Sequence, residues 1–173
     1  MTRNGPVNKE GLARWHRELL EDPGQRAEAR RAATPADIML CATFARMISA
    51  CQPGAKLGET GVVGISGFRI AALARAAFVL TRSASQAPGR RFAQAMASGG
   101  ARPVVSAARA NGLFRTEDED DACRQMAAMT PLVGAFDAFG LLLAFLDWDK
   151  ARREWAMEYH LAAHRQQKPA PAA

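Results

Sequence analysis

Apolar residues recur at intervals of three and four along most of this chain, between segments rich in glycine, proline and polar residues. Over 9–20, Leu12, Trp15 and Leu19 fall on one side of a helical projection. The same pattern predicts helices over 25–32, 34–51, 68–80, 90–97, 103–111, 116–130, 137–146 and 150–165. The 37 alanines favour helix, and no segment shows the alternation typical of a strand. We therefore predict an all-α fold of eight or nine helices.

Two stretches without helical periodicity divide the chain. The glycine-rich segment 52–66 predicts a long loop, and segment 82–89 (RSASQAPG) predicts a flexible joint. The expected architecture is two small packed helical bundles, an N-terminal one over 9–89 and a C-terminal one over 90–165. Residues 1–8 and 166–173 are predicted to be flexible tails.

Charge distinguishes the two halves. Residues 1–91 carry 14 Lys/Arg against 7 Asp/Glu, whereas residues 92–173 carry 9 against 10. Of the 23 basic residues, 19 are arginine, whose planar fork of donors matches phosphate oxygens. A basic half on a helical protein favours binding of a polyanion, most often a nucleic acid.

Nothing in the sequence indicates secretion or a membrane. The three cysteines are too few for a disulfide framework, and Cys41 and Cys123 fall in apolar helical patterns typical of buried thiols. No signal-peptide core is found, and the apolar run 136–146 is too short to span a bilayer. We expect a cytoplasmic protein without a membrane partner.

Candidate sites for metals and cofactors are incomplete. His160 and His164 are four residues apart, but no His-Glu-x-x-His motif or nearby cysteine completes a zinc site. The segment 54–61 lacks a phosphate-loop signature, and the acidic run 117–121 does not have the spacing of a calcium loop. We predict no metal and no cofactor, and interpret the acidic run as a solvated helix start or a contact for a basic surface.

The side chains that could act in catalysis or stack on bases have structural interpretations. No nucleophile, histidine and carboxylate form a recognisable catalytic set, so we predict no catalytic residue and no enzyme activity. Trp15, Trp148 and Trp155 occupy apolar helical positions and are predicted to lie in the core. His16 is predicted to lie on the surface.

The order of several short motifs resembles a known family. They are 11–15 (GLARW), 30–35 (RRAATP), 75–78 (RAAF), 92–98 (FAQAMAS), 113–115 (LFR) and 150–159 (KARREWAMEY). Over about residues 10–162 this order resembles the CasB family, the small subunit of the type I-E CRISPR Cascade complex. No single motif is diagnostic of that family.

The resemblance implies a non-catalytic protein of two helical bundles. Two copies would line the inner face of Cascade beside the other subunits and the guide RNA. Their basic surface would hold the R-loop by steadying the target DNA strand on the guide and gripping the displaced strand. By position in the family pattern, the residues implied to bind nucleic acid are Arg31, Arg69, Arg75, Arg109, Arg115, Lys150 and Arg153.

Other interpretations stay open at this point. Each arginine could simply be a solubilising charge on a helix, and Arg115 could pair with the acidic run 117–121, which is unexpected beside a nucleic-acid groove. The whole chain could be a stand-alone helical DNA-binding regulator, although no helix-turn-helix is evident. It could also be a helical scaffold that binds only protein.

Overall fold

The computed structural model describes residues 7–52, 56–58, 61–63, 65–100 and 102–167. Within these ranges the chain forms ten helices and one short β-hairpin, which confirms the all-α prediction and adds to the expected number of helices. The helices are α1 (Lys9–Glu21), α2 (Pro23–Arg30), α3 (Pro35–Ile38), α4 (Ala42–Cys51), α5 (Gly67–Leu80), α6 (Phe92–Ala97), α7 (Ala107–Arg115), α8 (Glu119–Val133), α9 (Ala138–Leu146) and α10 (Trp148–Gln167).

The predicted helix over 34–51 is two helices. Thr34 and Asp37 form a reciprocal capping box that starts α3, and a turn at residues 39–41 ends it after four residues. Helix α4 then begins after Cys41, which has an extended backbone and no side-chain cap. Helical periodicity continues through the turn, so the sequence pattern did not reveal the break.

Two predicted starts in the C-terminal half lie at different residues. Ser106, rather than Pro103, caps α7, which continues past the Asn111–Gly112 pair to Arg115. Asp118, rather than Thr116, caps α8 through a 2.7 Å bond from the Asp121 amide. The helix passes through Pro131 and ends at Gly134, whose φ of +73° suits glycine.

Helix α10 also begins earlier than predicted. The predicted start was residue 150, but the Lys150 amide already donates to the Asp147 carboxylate at 3.3 Å. The Trp148 side chain, which the prediction placed before the helix, is in its first turn.

Part of the predicted loop 52–66 is a β-hairpin. Strands β1 (Lys56–Gly58) and β2 (Gly61–Val63) pair in antiparallel register, with Leu57 opposite Val62. Each strand has only three residues, too few to show alternation in the sequence. The remaining residues of the predicted loop, apart from Gln52, Ile65 and Ser66, lie outside the described ranges.

Helix α5 lies at the centre of the packing. It contacts α3 and α4, which precede it in the chain, and α8 and α9, which follow it. Helix α1 packs against both α4 and α9. Small residues such as Ala72 and Ala76 are fully buried in α5 and allow its neighbours to approach closely. The division into two bundles near residue 89 stays a prediction, and helices from both sides of it pack against each other.

Helix α10 covers a second part of the core by packing against α6, α7 and α9. Here Trp155 stacks on Phe92 with ring centroids 5.8 Å apart and meets Trp148 edge to face at the same distance. Trp15, on α1, is also buried and donates to the Thr43 carbonyl at 2.9 Å. All three tryptophans therefore lie in the core, as predicted.

Predictions for two other side chains differ from the structure. His16 is completely buried, so the prediction of a surface position is wrong. Cys123 is buried as expected, whereas Cys41 is only partly covered because it lies in the turn before α4. Among the described helices, none has both the length and the apolar character needed to cross a bilayer.

Candidate nucleic-acid interface

The arginine and lysine side chains differ in whether the fold already provides them with a partner. A guanidinium with carboxylate partners and little exposure has few donors left for a phosphate, whereas an exposed one without partners keeps all five. This criterion separates the seven residues that the sequence singles out.

Arg75 belongs to the first kind. Its side chain on α5 is only 17% exposed and forms ion pairs with Glu119 and Asp120 in the first turn of α8, the latter at 2.6 Å. The backbone oxygen of Arg75 also accepts a bond from the Cys123 thiol at 3.4 Å. The residue joins α5 to α8, and its charge is used inside the molecule.

Two further acids of the run 117–121 also have basic partners. Asp121 pairs with Arg124 within α8, and Glu117 lies 3.6 Å from Arg152 of α10. Arg115 forms no ion pair with any carboxylate in the described part of the chain. The run is therefore more than a solvated helix start, and it does not neutralise the arginine that the sequence suggested.

Lys150 and Arg153 extend from the first two turns of α10 and each faces an acid of the same helix. Lys150 Nζ lies 3.8 Å from Glu154, and Arg153 donates to Asp149 at 3.0 Å. Hydrogen bonds from Arg152 hold the pKa of Asp149 below its ordinary value. Both cations are mostly exposed, but their charges are partly balanced.

Arg31, Arg109 and Arg115 have exposed side chains with no hydrogen bond or ion pair to the described residues. Arg109 borders a shallow cleft between α7 and α8. Arg69 is half-buried in the first turn of α5. Arg109 and Arg115 are six positions apart on α7, so they point to different sides of that helix.

The C-terminal end of α7 lies beside the start of α10. Arg152 approaches the Phe114 carbonyl at 3.4 Å, and the Trp148 indole donates to the Thr116 carbonyl at 2.9 Å. Arg115, the last residue of α7, thus lies at the end of that helix that packs against the start of α10, the helix that carries Lys150 and Arg153. Lys150 and Arg153 are each paired with an acid of α10, so this region is not uniformly basic.

A second basic group was not among the predicted site residues. It consists of Arg26 and Arg30 on α2 and Arg82 after α5, next to Arg31. Arg26 and Arg30 both direct Nε to the Thr81 carbonyl, at 3.4 and 3.0 Å. The i, i+4 spacing of Arg26 and Arg30 was visible in the sequence, but their convergence on α5 depends on tertiary packing.

The described residues contain no group of three or more histidine, cysteine or acidic side chains able to hold a metal ion. His160 and His164 are exposed on α10, and His160 Nε2 lies 3.1 Å from the Asn111 amide oxygen. This hydrogen bond to α7 gives His160 a structural contact.

The overall fold is similar to that of a chain in a known assembly. A chain in the crystal structure of E. coli Cascade bound to a PAM-containing dsDNA target superposes with a TM-score of 0.70. The match covers 93% of this chain and 99% of that chain, at 18% sequence identity. No protein-family model and no curated protein matches the sequence. The structural similarity establishes a shared all-α fold over nearly the whole length of both chains.

Proposed function

We propose that this chain is the small, CasB-type subunit of a CRISPR Cascade complex. In this role it is not an enzyme: it holds guide RNA, target DNA and the displaced strand through phosphate contacts, together with other Cascade subunits and a second copy of itself. The observation that carries the proposal is the nearly full-length similarity in fold to a chain of E. coli Cascade bound to target DNA. The order of motifs along the sequence independently supports the same family.

The state of the charged side chains supports phosphate contacts over base recognition. Arg31, Arg109 and Arg115 are exposed without partners in the described residues; the first directly follows α2, and the other two lie on α7. All three tryptophan rings are buried and cannot stack on bases. A subunit of this kind needs no base contacts, because pairing between guide and target reads the sequence.

Among the other predicted residues, Lys150, Arg153 and Arg69 remain proposed phosphate contacts. The first two would have to leave, or share, an acid on their own helix. We assign Arg75 a structural role, since its two carboxylate partners hold it between α5 and α8.

The test compares two triple variants that remove the same charge. One replaces Arg31, Arg109 and Arg115 with alanine. The control replaces Arg17, Arg102 and Arg165, which are also exposed and form no ion pair with described residues. Each variant is assembled with guide RNA and the other Cascade subunits. The affinity for matched target DNA and the lifetime of the bound complex are then measured over a range of salt concentrations.

We expect the logarithm of the wild-type affinity to fall linearly with the logarithm of salt, because bound phosphates release counterions. The first triple variant should shorten the lifetime and reduce the salt slope by about one unit for each phosphate that the subunit no longer binds. Equal effects of both variants would contradict the assignment to these residues. Failure of the wild-type chain to enter the complex would overturn the function itself, and selective binding to one duplex sequence would indicate a regulator.

A further inference from the structure

The basic group at the end of α5 has no acidic partner in the part of the chain that the structure describes. Arg26, Arg30 and Arg82 converge on backbone oxygens there, and none of them forms an ion pair with a carboxylate of the described residues. The cations near the start of α10, by contrast, have acids within reach. Three like charges brought together in this way repel one another unless an anion lies between them.

Two of these side chains share one acceptor. Because Arg26 and Arg30 both donate Nε to the Thr81 carbonyl, their guanidinium groups must lie next to each other. Arg26 also donates Nη2 to the Ser83 carbonyl. The Nη atoms of Arg30, and Nη1 of Arg26, have no hydrogen-bond partner in the described part of the chain. The pair therefore presents several unused donors side by side.

Arg82 holds the surroundings of this pair in place. Its guanidinium lies 3.7 Å from the centre of the Phe78 ring and donates to the Phe78 and Ala32 carbonyls at 2.7 and 2.8 Å. It also reaches the Arg30 carbonyl at 3.3 Å. Arg82 thus fixes the end of α2 against α5, and its own Nη donors are already used.

The electrostatics agree with an unfilled requirement for negative charge. Burial lowers the pKa of Arg26 and of Arg82 below the ordinary value, and the neighbouring Arg30 charge lowers both further. Arginine remains protonated in proteins, so the folded chain bears the cost of this burial and of the repulsion from Arg30. A bound anion would relieve it.

We propose that Arg26 and Arg30 form a binding site for a phosphate group, positioned by Arg82. Two adjacent guanidinium groups can donate to separate oxygens of one tetrahedral phosphate. A planar carboxylate, with two oxygens, would leave more of these donors without an acceptor. Under the proposed function, on which this source of the ligand rests, the phosphate belongs to a nucleic-acid backbone. Arg31, the next residue along the chain, also has an exposed side chain.

The first experiment uses inorganic phosphate as the probe. Thermal unfolding of the wild-type chain is compared in phosphate and in chloride at equal ionic strength, alongside Arg26→Gln, Arg30→Gln and the control Arg17→Gln. We expect phosphate to raise Tm in the wild type and in the control. In each of the two cluster variants, Arg26→Gln and Arg30→Gln, the affinity for phosphate should fall about tenfold, as expected for the loss of a charge-assisted hydrogen bond. Arg30→Lys, which keeps the charge but loses the fork, should fall between Arg30→Gln and wild type.

A second experiment identifies the source of the phosphate, using a short single-stranded DNA and the same variants. Weaker DNA binding in both cluster variants, but not in Arg17→Gln, supports a backbone phosphate. Loss of phosphate binding with unchanged DNA binding overturns that source. The proposed site is wrong if phosphate raises the Tm of the wild type no more than chloride does, or if it raises the Tm of the cluster variants as much as that of the wild type. This holds even where DNA binding supports the proposed function. Protection by phosphate in a chain that binds no DNA would retain the site and contradict the function.

Discussion

The buried His16 predicts a specific dependence of stability on pH. Its Nε2 lies 3.2 Å from the Leu80 carbonyl and 2.7 Å from Ser83 Oγ. The carbonyl can only accept, so this geometry assigns the proton to Nε2. Nδ1 is then a buried acceptor with no partner among the described residues. Protonation of Nδ1 would place a charge in the core, where no acceptor meets the new N–H.

Burial accordingly lowers the pKa of His16 from 6.5 to about 4, and the charge of Arg26 contributes in the same direction against the Leu80 hydrogen bond. As pH falls below 6.5, His16 becomes protonated in the unfolded chain, whereas in the folded chain it stays neutral until about pH 4. Stability from this residue is therefore complete above pH 6.5 and is lost over that interval. Between pH 7 and pH 5 the linkage relation gives a loss of about 2 kcal/mol.

The assay is urea unfolding at pH 7 and pH 5, followed by tryptophan fluorescence, for the wild type and for His16→Gln. The glutamine amide can still donate to the Leu80 carbonyl, but it does not titrate. The carboxylates with lowered pKa, such as Asp22 and Asp37, titrate below 3.8 and do not contribute in this interval. The difference in unfolding free energy between wild type and variant should change by about 2 kcal/mol. A difference that is the same at both pH values would refute the reasoning. An NMR titration in which the His16 signal has its midpoint near pH 6.5 would refute it as well.

Two further predictions concern packing and the internal ion pairs. Gly11→Ala should cost about 2–3 kcal/mol of unfolding free energy, because its Cβ would lie 2.0 Å from the Ala50 oxygen where α1 meets α4. Gly112→Ala is the matched control, since its nearest neighbour would be 3.9 Å away, and it should gain about 0.5–1 kcal/mol in chemical denaturation. Arg75→Ala should lose about 1–2 kcal/mol by the same measurement and leave the salt slope of DNA binding unchanged, because its charge is held between α5 and α8; a change in that slope with full stability would contradict its structural role.

The sequence predicted helix starts reliably where the capping interaction lies within a single helix. Thr34, Ser66 and Asp137 mark the starts of α3, α5 and α9 at or near the predicted residues, because a cap bonds amides only two or three residues away. The break at residues 39–41 and the hairpin strands were missed. In both cases the segments are too short for periodicity to distinguish.

The sequence by itself determined the helical class, the burial of the three tryptophans and the excess of arginine in the first half, since these follow from composition and periodicity. Tertiary structure alone decided which arginines keep free donors. Arg75 meets its acids 44 and 45 residues away, and Arg26 and Arg30 meet the Thr81 carbonyl at separations of 55 and 51. Likewise, the position of His16 next to α5 depends on a contact 64 residues away. Charge is a property of a residue, but its availability to a ligand depends on what the folded chain places within a few ångströms of it.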